Sequence, residues 1–304
     1  MISSPLSSPY ALALQAAEAA AGSQQHPTHA LYVVATPIGN LADISLRALH
    51  LLGLADLIAC EDTRHTQHML RAYGLERPSA QLLALHQHNE AEATQVVLQR
   101  LAAGARVACV SDAGTPAISD PGARLVQAVR AAGHRVVPLP GASSVTTLLS
   151  AAGMTGEGFV FRGFLPSKPT ERQQAVQALA QEPRAVVLLE APHRILALAG
   201  ALQALGQRRV TVGRELTKQF EQIETLAAQD LAAWLAERPE RQKGEFVLVL
   251  HDAPAPQADG EGERVLRCLL QALPLKTAVQ LAAEISGEPR NALYALALKL
   301  KTDA

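Results

Sequence analysis

The sequence lacks the cysteine patterns that indicate disulfides or a structural metal site. It contains three cysteines, Cys60, Cys109 and Cys268, and no two of them form a CxxC pair. Cys60 and Cys109 lie in apolar, strand-like segments, which predicts buried and reduced thiols. Because reduced thiols are typical of a reducing compartment, we expect a cytoplasmic protein.

Membrane-spanning hydrophobic runs are also missing, although 48% of the residues are hydrophobic. No apolar run reaches the length of a transmembrane helix, so no membrane partner is expected. The N-terminal segment has no basic region, and Glu18 interrupts its apolar run, which excludes a typical signal peptide. We expect residues 1–29 to be a disordered tail in which residues 11–21 can form a short helix.

Two common nucleotide-binding loops are absent. The sequence contains neither the G-x-G-x-x-G fingerprint of dinucleotide-binding domains nor a Walker A loop. Metal-ligand spacing is missing as well, because His65 and His68 lie three residues apart on a predicted helix without a third ligand. These absences argue against NAD, against ATP held by a known loop, and against a metal centre.

Charge gives only a local signal, since the net charge is −1. Residues 160–220 hold nine Lys or Arg and four acidic residues, and residues 264–304 hold six and three. The stretch between them, residues 221–263, holds three basic and ten acidic residues. An RNA partner requires positive surface to meet its phosphates, so the two basic stretches are compatible with RNA. Uneven charge also arises by chance, and the pattern alone does not establish RNA binding.

One strand–loop–helix segment is more informative than the composition. The apolar run 106–110 is followed by a loop with two glycines and two prolines, and a helical pattern begins at Ala123. Gly114 permits backbone angles or a close approach that a Cβ would prevent, and Pro116 stiffens the loop. In open α/β sheets ligands bind at such strand ends, which favours a binding loop over an ordinary surface turn.

The surrounding pattern predicts an α/β fold with two domains and a helical C-terminal extension. Apolar strands alternate with helices from residue 31 to residue 140, which predicts a mainly parallel sheet covered on both faces. A second set of strands predicts a mixed sheet in the next domain. The predicted boundaries are 30–152 for domain one, 153–253 for domain two and 263–304 for the extension. The extension is either helix-turn-helix-like or a small bundle packed on the main body.

Nine short motifs in the chain resemble those of one family, in the same order. They are Thr36-Pro-Ile-Gly-Asn-Leu41, Glu61-Asp-Thr-Arg64, His86-Gln-His-Asn-Glu90, Ser111-Asp-Ala-Gly-Thr-Pro116, Pro140-Gly-Ala-Ser-Ser144, Phe161-Arg-Gly-Phe-Leu-Pro166, Glu190-Ala-Pro-His-Arg194, Arg214-Glu-Leu-Thr-Lys218 and Lys243-Gly-Glu245. The family is ribosomal RNA small subunit methyltransferase I, within the tetrapyrrole methylase fold. The resemblance covers residues 30 to 300.

The resemblance implies an S-adenosylmethionine cofactor bound in the cleft between the two domains. The residues it places near the cofactor are Pro37, Gly39, Asp112, Gly114, Thr115, Pro116, Ile118, Ser143 and Ser144. Small loop residues suit this role because they expose backbone amides and carbonyls without filling the slot. For Ser143 and Ser144, capping of the following helix is an alternative role that is compatible with binding.

The resemblance also implies a substrate, 16S rRNA in the 30S subunit, and it implies a homodimer, because relatives with this fold are dimeric. The methyl group goes to a cytidine ribose 2′-oxygen, which is a poor nucleophile and needs alignment and removal of its proton. The candidate catalytic residues are Glu61, Asp62, Arg64, His86 and His193. The candidate RNA-binding residues are Arg64, Arg194, Arg214, Lys218 and Arg290. An internal salt bridge is the alternative role for Arg64.

Two other functions remain open from the sequence. A small-molecule methylase acting on a tetrapyrrole shares the fold, although the helical extension and residues 86–90 match the RNA-modifying family. A cofactor-sensing RNA-binding protein without catalysis is the third possibility. Polar clusters at four strand ends argue against it, because fold stability alone does not require them.

Overall fold

The computed structural model describes residues 10–156, 158–253 and 261–302. The first domain contains a five-stranded sheet in the order β3-β2-β4-β1-β5, and every pairing in it is parallel. Its strands are β1 Ala30–Val34, β2 Leu57–Cys60, β3 Leu82–Ala84, β4 Arg106–Val110 and β5 Arg135–Leu139. Helices α2 Leu46–Leu54, α3 Thr63–Ala72, α4 Glu90–Ala102 and α5 Ala123–Ala131 connect them. The parallel sheet predicted from the sequence is confirmed.

Both faces of this sheet are buried, which explains why its strands read as continuous apolar runs. Alternate residues of β1 belong to the hydrophobic cores on opposite faces of the sheet. On one face Tyr32 packs with Leu49 and Leu52 of α2. On the other face Leu31 packs with Val97 of α4 and its neighbours. The helices therefore fix the sheet from both sides and leave its carboxyl edge as the place for loops.

The second domain is built on a mixed five-stranded sheet in the order β6-β7-β10-β8-β9. Its strands are β6 Phe159–Gly163, β7 Ala185–Glu190, β8 Arg209–Arg214, β9 Gln222–Ala227 and β10 Phe246–Leu250. Strands β6 and β7 are parallel, and the other pairings are antiparallel. Helices α7 Pro169–Ala180, α8 Ile195–Leu202 and α9 Leu231–Ala236 complete the domain. The predicted mixed sheet is confirmed.

Helix α6, Ser144–Ala151, joins the two domains through a shared core. Its Leu148 is fully buried and packs with Val187, Leu216 and Val247 of the second domain. Gly213 permits this approach, since a Cβ there would lie 2.7 Å from Leu148 Cδ1. The sequence placed α6 in domain one, but its apolar face is buried against the second sheet.

The N-terminal segment is more ordered than the sequence predicted. Helix α1, Ala11–Ala21, packs against α2 and buries Ala17 and Ala21. Glu18 Oε2 lies 2.9 Å from His50 Nδ1, and the small alanine side chains allow the two helices to approach closely. The short helix expected at residues 11–21 is therefore confirmed, whereas the expectation of a disordered tail is wrong for residues 10–29. Residues 1–9 lie outside the described part of the chain.

The C-terminal extension contains three helices, α10 Glu261–Leu270, α11 Leu275–Ser286 and α12 Arg290–Thr302. One break lies before α11, at Pro274, and the other follows α11 at Gly287, whose φ is 72°. The three helices share a core that includes Leu266, Val279 and Leu293. Residues 254–260, between the predicted second domain and the predicted extension, lie outside the described residues. Within the ranges described, no helix is both long and apolar enough to cross a membrane.

Candidate functional site

The loops that leave β1 and β4 are joined by hydrogen bonds at the carboxyl edge of the first sheet. The amide of Thr36 donates to the Gly114 carbonyl at 2.9 Å, and the amide of Gly114 donates back to the Thr36 carbonyl at 3.0 Å. The Thr36 hydroxyl also donates to the Ser111 carbonyl at 3.0 Å. Gly114 has a φ of 82°, which a side chain rarely adopts. The two loops therefore form one rigid surface.

The loop after β5 is joined to the same surface. The Thr115 hydroxyl donates to the Ala142 carbonyl at 3.1 Å, which holds residues 140–143 beside the β4 loop. Ser143 occupies the N-cap position of α6, but its side chain makes no capping hydrogen bond. The capping role considered for Ser143 is therefore not realised, and Ser144 is the first residue of the helix.

A strained turn from the second domain closes over this surface. Glu215 and Thr217 have positive φ values of 51° and 66°, which are unfavourable for side chains of this size. The Thr217 hydroxyl accepts a hydrogen bond from the Asn40 amide at 3.1 Å. Gly39 permits the contact, because a Cβ at this position would lie 2.4 Å from Lys218 Cγ. The turn thus fixes the second domain against the β1 loop.

Between the domains lies a cavity of about 400 Å³, called here the interdomain cavity. Its apolar and small lining residues are Ile38, Ala113, Ser144, Phe164, Leu189, Ala191, Pro192, Leu216, Phe246 and Val247. Its acidic lining residues are Glu61, Asp112, Asp120, Glu190 and Glu245. A side cavity of about 410 Å³ shares Ile38, Asp112, Ala113 and Glu245 with it and adds Pro37, Gly39, Leu41, His65, His68, Met69 and Lys218.

The carboxylates of the interdomain cavity repel one another. Burial raises the pKa of Glu61, and the nearby charges of Asp120 and Asp112 raise it further. Burial also raises the pKa of Asp120, and Asp112 and Glu245 add to the effect. Such an arrangement is relieved by a positive charge. The cavity therefore combines apolar walls with an electrostatic preference for a cation.

Glu190 differs from the other acids of the cavity, because its charge is neutralised by a guanidinium. Only 3% of the residue is exposed. Its Oε1 lies 3.0 Å from Arg194 Nε and accepts a hydrogen bond from the Ala191 amide at 2.9 Å. Its Oε2 is buried and has no hydrogen-bond partner among the described residues. The side chain therefore presents one satisfied and one unsatisfied oxygen.

Of the five candidate catalytic residues, only Glu61 lines the interdomain cavity. Asp62 instead caps α3, since its Oδ1 accepts hydrogen bonds from the amides of Arg64 at 2.8 Å and His65 at 3.4 Å. These bonds lower the pKa of Asp62. His86 and His193 are exposed and line neither cavity. The structure thus brings Glu61 into the site and leaves the two histidines outside it.

Arg64 is beside the site but is not held by a strong ion pair. Its Nη2 lies 3.6 Å from Asp62 Oδ2, and 91% of its side chain is exposed. Exposed pairs of this kind contribute little to stability. The internal salt bridge considered from the sequence is therefore weak, and the guanidinium faces solvent.

Three of the other candidate RNA-binding cations are engaged within the protein. Arg194 pairs with Glu190 and donates to the Leu165 carbonyl. Arg214 is buried and donates to the carbonyls of Lys243 and Phe220, each at 2.9 Å. The ammonium of Lys218 bridges the carboxylates of Glu215 at 2.9 Å and Glu245 at 3.0 Å. These residues hold the second domain together, whereas Arg64 and Arg290 are exposed.

The residues proposed to bind the cofactor fall into two groups. Asp112 and Ser144 line the interdomain cavity, and Pro37 and Gly39 line the side cavity, which Asp112 also borders. Gly114, Thr115, Pro116 and Ser143 belong to the joined loops behind the cavities and line neither of them, and Ile118 is 57% exposed.

Several lining residues were not identified from the sequence. Glu190 and Glu245 belong to motifs quoted above, and their position directly at a strand end could have identified them. Asp120 lies in the loop after β4 but has no distinguishing local pattern. The apolar wall includes Leu189 of β7, Val247 of β10 and Leu216 of the turn after β8. In the sequence these residues have the pattern of ordinary core residues.

Two family models match the chain. Residues 30–232 match the family described as Tetrapyrrole (Corrin/Porphyrin) Methylases. Residues 256–301 match the RsmI C-terminal HTH domain. The first match spans both sheets except β10, and the second includes the three C-terminal helices.

Curated relatives and a solved structure resemble the chain over most of its length. The ribosomal RNA small subunit methyltransferase I of Escherichia coli O157:H7 is 47% identical over 88% of this chain and 94% of its own length. The protein of that name from Pseudomonas aeruginosa is 46% identical over 88% and 96%. Uroporphyrin-III C-methyl transferase from Thermus thermophilus, complexed with S-adenosyl homocysteine, has a TM-score of 0.50 at 18% identity, covering 72% of this chain and 96% of its own.

Proposed function

The chain belongs to the ribosomal RNA small subunit methyltransferase I family, within the tetrapyrrole methylases, and from this we propose its reaction. It transfers a methyl group from S-adenosylmethionine to the 2′-oxygen of a cytidine ribose in 16S rRNA of the 30S subunit, in the cytoplasm. The observation that supports this proposal most strongly is the interdomain cavity, whose acidic and apolar walls lie within a chain 47% identical to a protein of that name.

The residues of the cavity fit S-adenosylmethionine chemically. The cofactor supplies an electrophilic methyl group on a positively charged sulfur. Glu61, Asp112 and Asp120 provide the negative charge that a cation requires. Leu189, Phe246 and their apolar neighbours provide a surface for an aromatic base. The chain thus offers both an electrostatic and an apolar subsite in one cavity.

Glu61 is the residue best placed to accept the proton of the ribose hydroxyl. It lines the cavity, and burial together with Asp120 and Asp112 raises its pKa. A raised pKa makes the ionised carboxylate a stronger base. The joined β1 and β4 loops hold the cavity rigid, so that the hydroxyl is aligned before its proton leaves.

The negative cavity repels phosphate, and the RNA backbone therefore needs cations at the rim. Arg64 meets this need, because its guanidinium is exposed in the first turn of α3, two residues after Asp62. Arg290 and Lys299 on α12 are also exposed and provide positive charge on the C-terminal helices. We expect phosphates to be held at these positions and the target ribose to enter the cavity.

Asp112 provides a test of the cofactor site. Its Oδ1 accepts a hydrogen bond from the Asp62 amide at 3.1 Å, which Asp112→Asn can retain while it removes the charge. We expect Asp112→Asn to weaken cofactor binding by about tenfold, as for loss of one charge-assisted contact. The melting temperature should not fall, because Asp112 also repels Glu61 and Asp120. Unchanged affinity in calorimetry would exclude Asp112 from the site.

The C-terminal helices provide a test of substrate binding. Removing residues 261–304 takes away the three-helix core and the cations of α12 but none of the lining residues of the cavities. We expect affinity for 30S subunits to fall. The slope of log affinity against log salt concentration should become shallower by about one for each phosphate contact that is lost. Affinity for the cofactor should be unchanged. A truncated protein that methylates 30S subunits at the full rate would show that the helices have only a structural role.

A tetrapyrrole methylase is the second candidate, because the family model and the Thermus structure share this fold. The match of residues 256–301 to the RsmI C-terminal domain favours RNA instead. Incubation with labelled cofactor and either unmethylated 30S subunits or a tetrapyrrole precursor separates the two. Label in RNA supports the proposal, label in the precursor contradicts it, and label in neither favours a binding protein without catalysis.

We also propose that the protein acts as a homodimer. Exposed apolar side chains on the second domain, such as Phe220 at 67% and Phe159 at 45%, provide surface that an association would bury. Light scattering at micromolar concentration should give twice the chain mass of 32.2 kDa. A monomer mass under these conditions would contradict the dimer and leave the reaction proposal unaffected.

A further inference from the structure

We propose that the side cavity binds the base of the target cytidine, and that Glu245 and Lys218 recognise the Watson–Crick edge of this base. The inference rests on the proposed function, since it assumes that the methyl acceptor is a cytidine of 16S rRNA. The cavity has a volume of about 410 Å³, which is in the range of sites for small organic groups. No role was assigned to Glu245 from the sequence.

The side cavity and the interdomain cavity meet along a shared wall. The residues that line both are Ile38, Asp112, Ala113 and Glu245. A methyl group that passes directly from cofactor to substrate requires the two ligands to be in contact, because the reacting atoms must be about 3–3.5 Å apart. Asp112 is also close enough to Glu61 to raise the pKa of that residue. A cofactor in the interdomain cavity and a nucleoside in the side cavity would therefore meet beside the proposed base.

The side cavity differs from the interdomain cavity in the charge of its lining. Its acids are Asp112 and Glu245. Its other polar side chains are the ammonium of Lys218 and the imidazoles of His65 and His68. The two histidines lie three residues apart on α3 and therefore on the same face of that helix. Because imidazole rings stack on nucleobases, this lining suits a base better than the cationic end of the cofactor.

Glu245 and Lys218 present a hydrogen-bond acceptor beside a donor on the wall of the side cavity. Glu245 Oε2 accepts from Lys218 Nζ at 3.0 Å, and 70% of the glutamate side chain is exposed. Lys218 Nζ also donates to Glu215 Oε1 at 2.9 Å, which leaves one of the three ammonium donors for a ligand. The lysine stem packs against Gly39, where a Cβ would lie 2.4 Å from Lys218 Cγ. The protein therefore holds the pair in place and leaves it open to a ligand.

This pair is complementary to cytosine but not to uracil. The Watson–Crick edge of cytosine has the N4 amine beside the N3 acceptor, so the amine can donate to Glu245 while N3 accepts from Lys218. Uracil has the reverse order, with the O4 acceptor beside the N3 donor. The carboxylate would then face an acceptor and the ammonium a donor, and a site whose polar groups are left unpaired rejects such a ligand. The pair therefore gives the enzyme a preference for cytidine.

Methyl transfer to 30S subunits that carry either cytidine or uridine at the target position tests the inference. We expect the unmodified protein to prefer cytidine by about 10–100-fold in kcat/KM, as for one well-paired base contact. Glu245→Gln should lose most of this preference, because glutamine can keep an oxygen on Lys218 but places an amide donor toward the base. Lys218 keeps its bond to Glu215, so the melting temperature should change little. Glu237→Gln is the matched control, since this exposed glutamate also pairs with a cation, Arg241, but lines neither cavity.

Equal rates on the two substrates with the unmodified protein would overturn the inference and leave the proposed function intact. The inference is also overturned if Glu245→Gln slows both substrates by the same factor and so keeps the preference. Should Glu245→Gln fail to fold, Glu245→Ala also removes the acceptor and must show the same loss of preference. Calorimetry with S-adenosylhomocysteine should give similar affinities for the unmodified protein and the variant, and a loss of binding would assign Glu245 to the cofactor instead. An unmodified protein that methylates neither substrate contradicts the proposed function.

Discussion

Replacing Glu61 with glutamine is expected to slow methyl transfer by a factor of about 10²–10⁴, the usual contribution of a positioned base. Glutamine has a similar shape but cannot accept the proton of the ribose hydroxyl. The cavity would keep its apolar wall and the carboxylates of Asp112 and Asp120, so cofactor binding should weaken far less than catalysis. Single-turnover kinetics with unmethylated 30S subunits, combined with calorimetry of the cofactor, separates the two effects.

The same substitution should not destabilise the protein at neutral pH. The pKa of Glu61 is raised in the folded state, so the folded protein binds more protons than the unfolded chain between the two pKa values. The free energy of unfolding therefore falls as pH rises through that window, and glutamine removes this loss. The melting temperature of Glu61→Gln at neutral pH should equal or exceed that of the unmodified protein. A fall of several degrees would mean that lost activity reflects a damaged fold.

The pH dependence of the rate gives an independent check. The unmodified protein should become faster as pH rises through the raised pKa of Glu61, because only the ionised carboxylate accepts a proton. Glu61→Gln should lack this rise, whereas Glu92→Gln, an exposed acid on α4, should retain it at the full rate. An unaltered profile in Glu61→Gln would assign the proton to another group.

Much of the first domain could be predicted from the sequence, because each strand buried on both faces is a short apolar run. The run 56–60 predicted β2 and the run 106–110 predicted β4, and parallel pairing then placed Glu61 and Asp112 at the same edge of the sheet. The loops after β1, β4 and β5 lie at this edge for the same reason, whereas their proposed role in cofactor binding comes from the family resemblance. Local pattern and the rule for parallel sheets were sufficient for this part of the site.

The roles of the cations could not be predicted, because the sequence does not distinguish a charged side chain that faces solvent from one that is bound within the protein. Arg194, Arg214 and Lys218 follow strand ends as Arg64 follows β2, but each of the three satisfies carbonyls or carboxylates of its own domain. Their partners, such as Phe220 and Glu245, are brought near only by the tertiary fold. The burial of α1 has the same origin, since its alanines become a packing surface only beside α2.

Reversing the charge of Arg64 is expected to lower kcat/KM for 30S subunits by roughly 10²-fold, because like charges placed against a partner cost several kcal/mol. The guanidinium is 91% exposed and only 3.6 Å from Asp62 Oδ2, so the protein itself gains little from it. Arg64→Glu should therefore leave the melting temperature within about 2 °C, since surface changes of this kind alter stability by about 0.5 kcal/mol or less. Cofactor affinity should also be close to normal.

Arg71→Glu is the matched control, because Arg71 is an exposed arginine on the same helix, two turns further on. It changes the net charge of the protein by the same amount, so any general repulsion of RNA would appear in both variants. A large loss confined to Arg64→Glu, together with a shallower dependence of RNA binding on salt, supports a phosphate contact at the rim of the cavity. If Arg64→Glu instead lowers the melting temperature and leaves methyl transfer intact, Arg64 serves only to brace Asp62 at the start of α3.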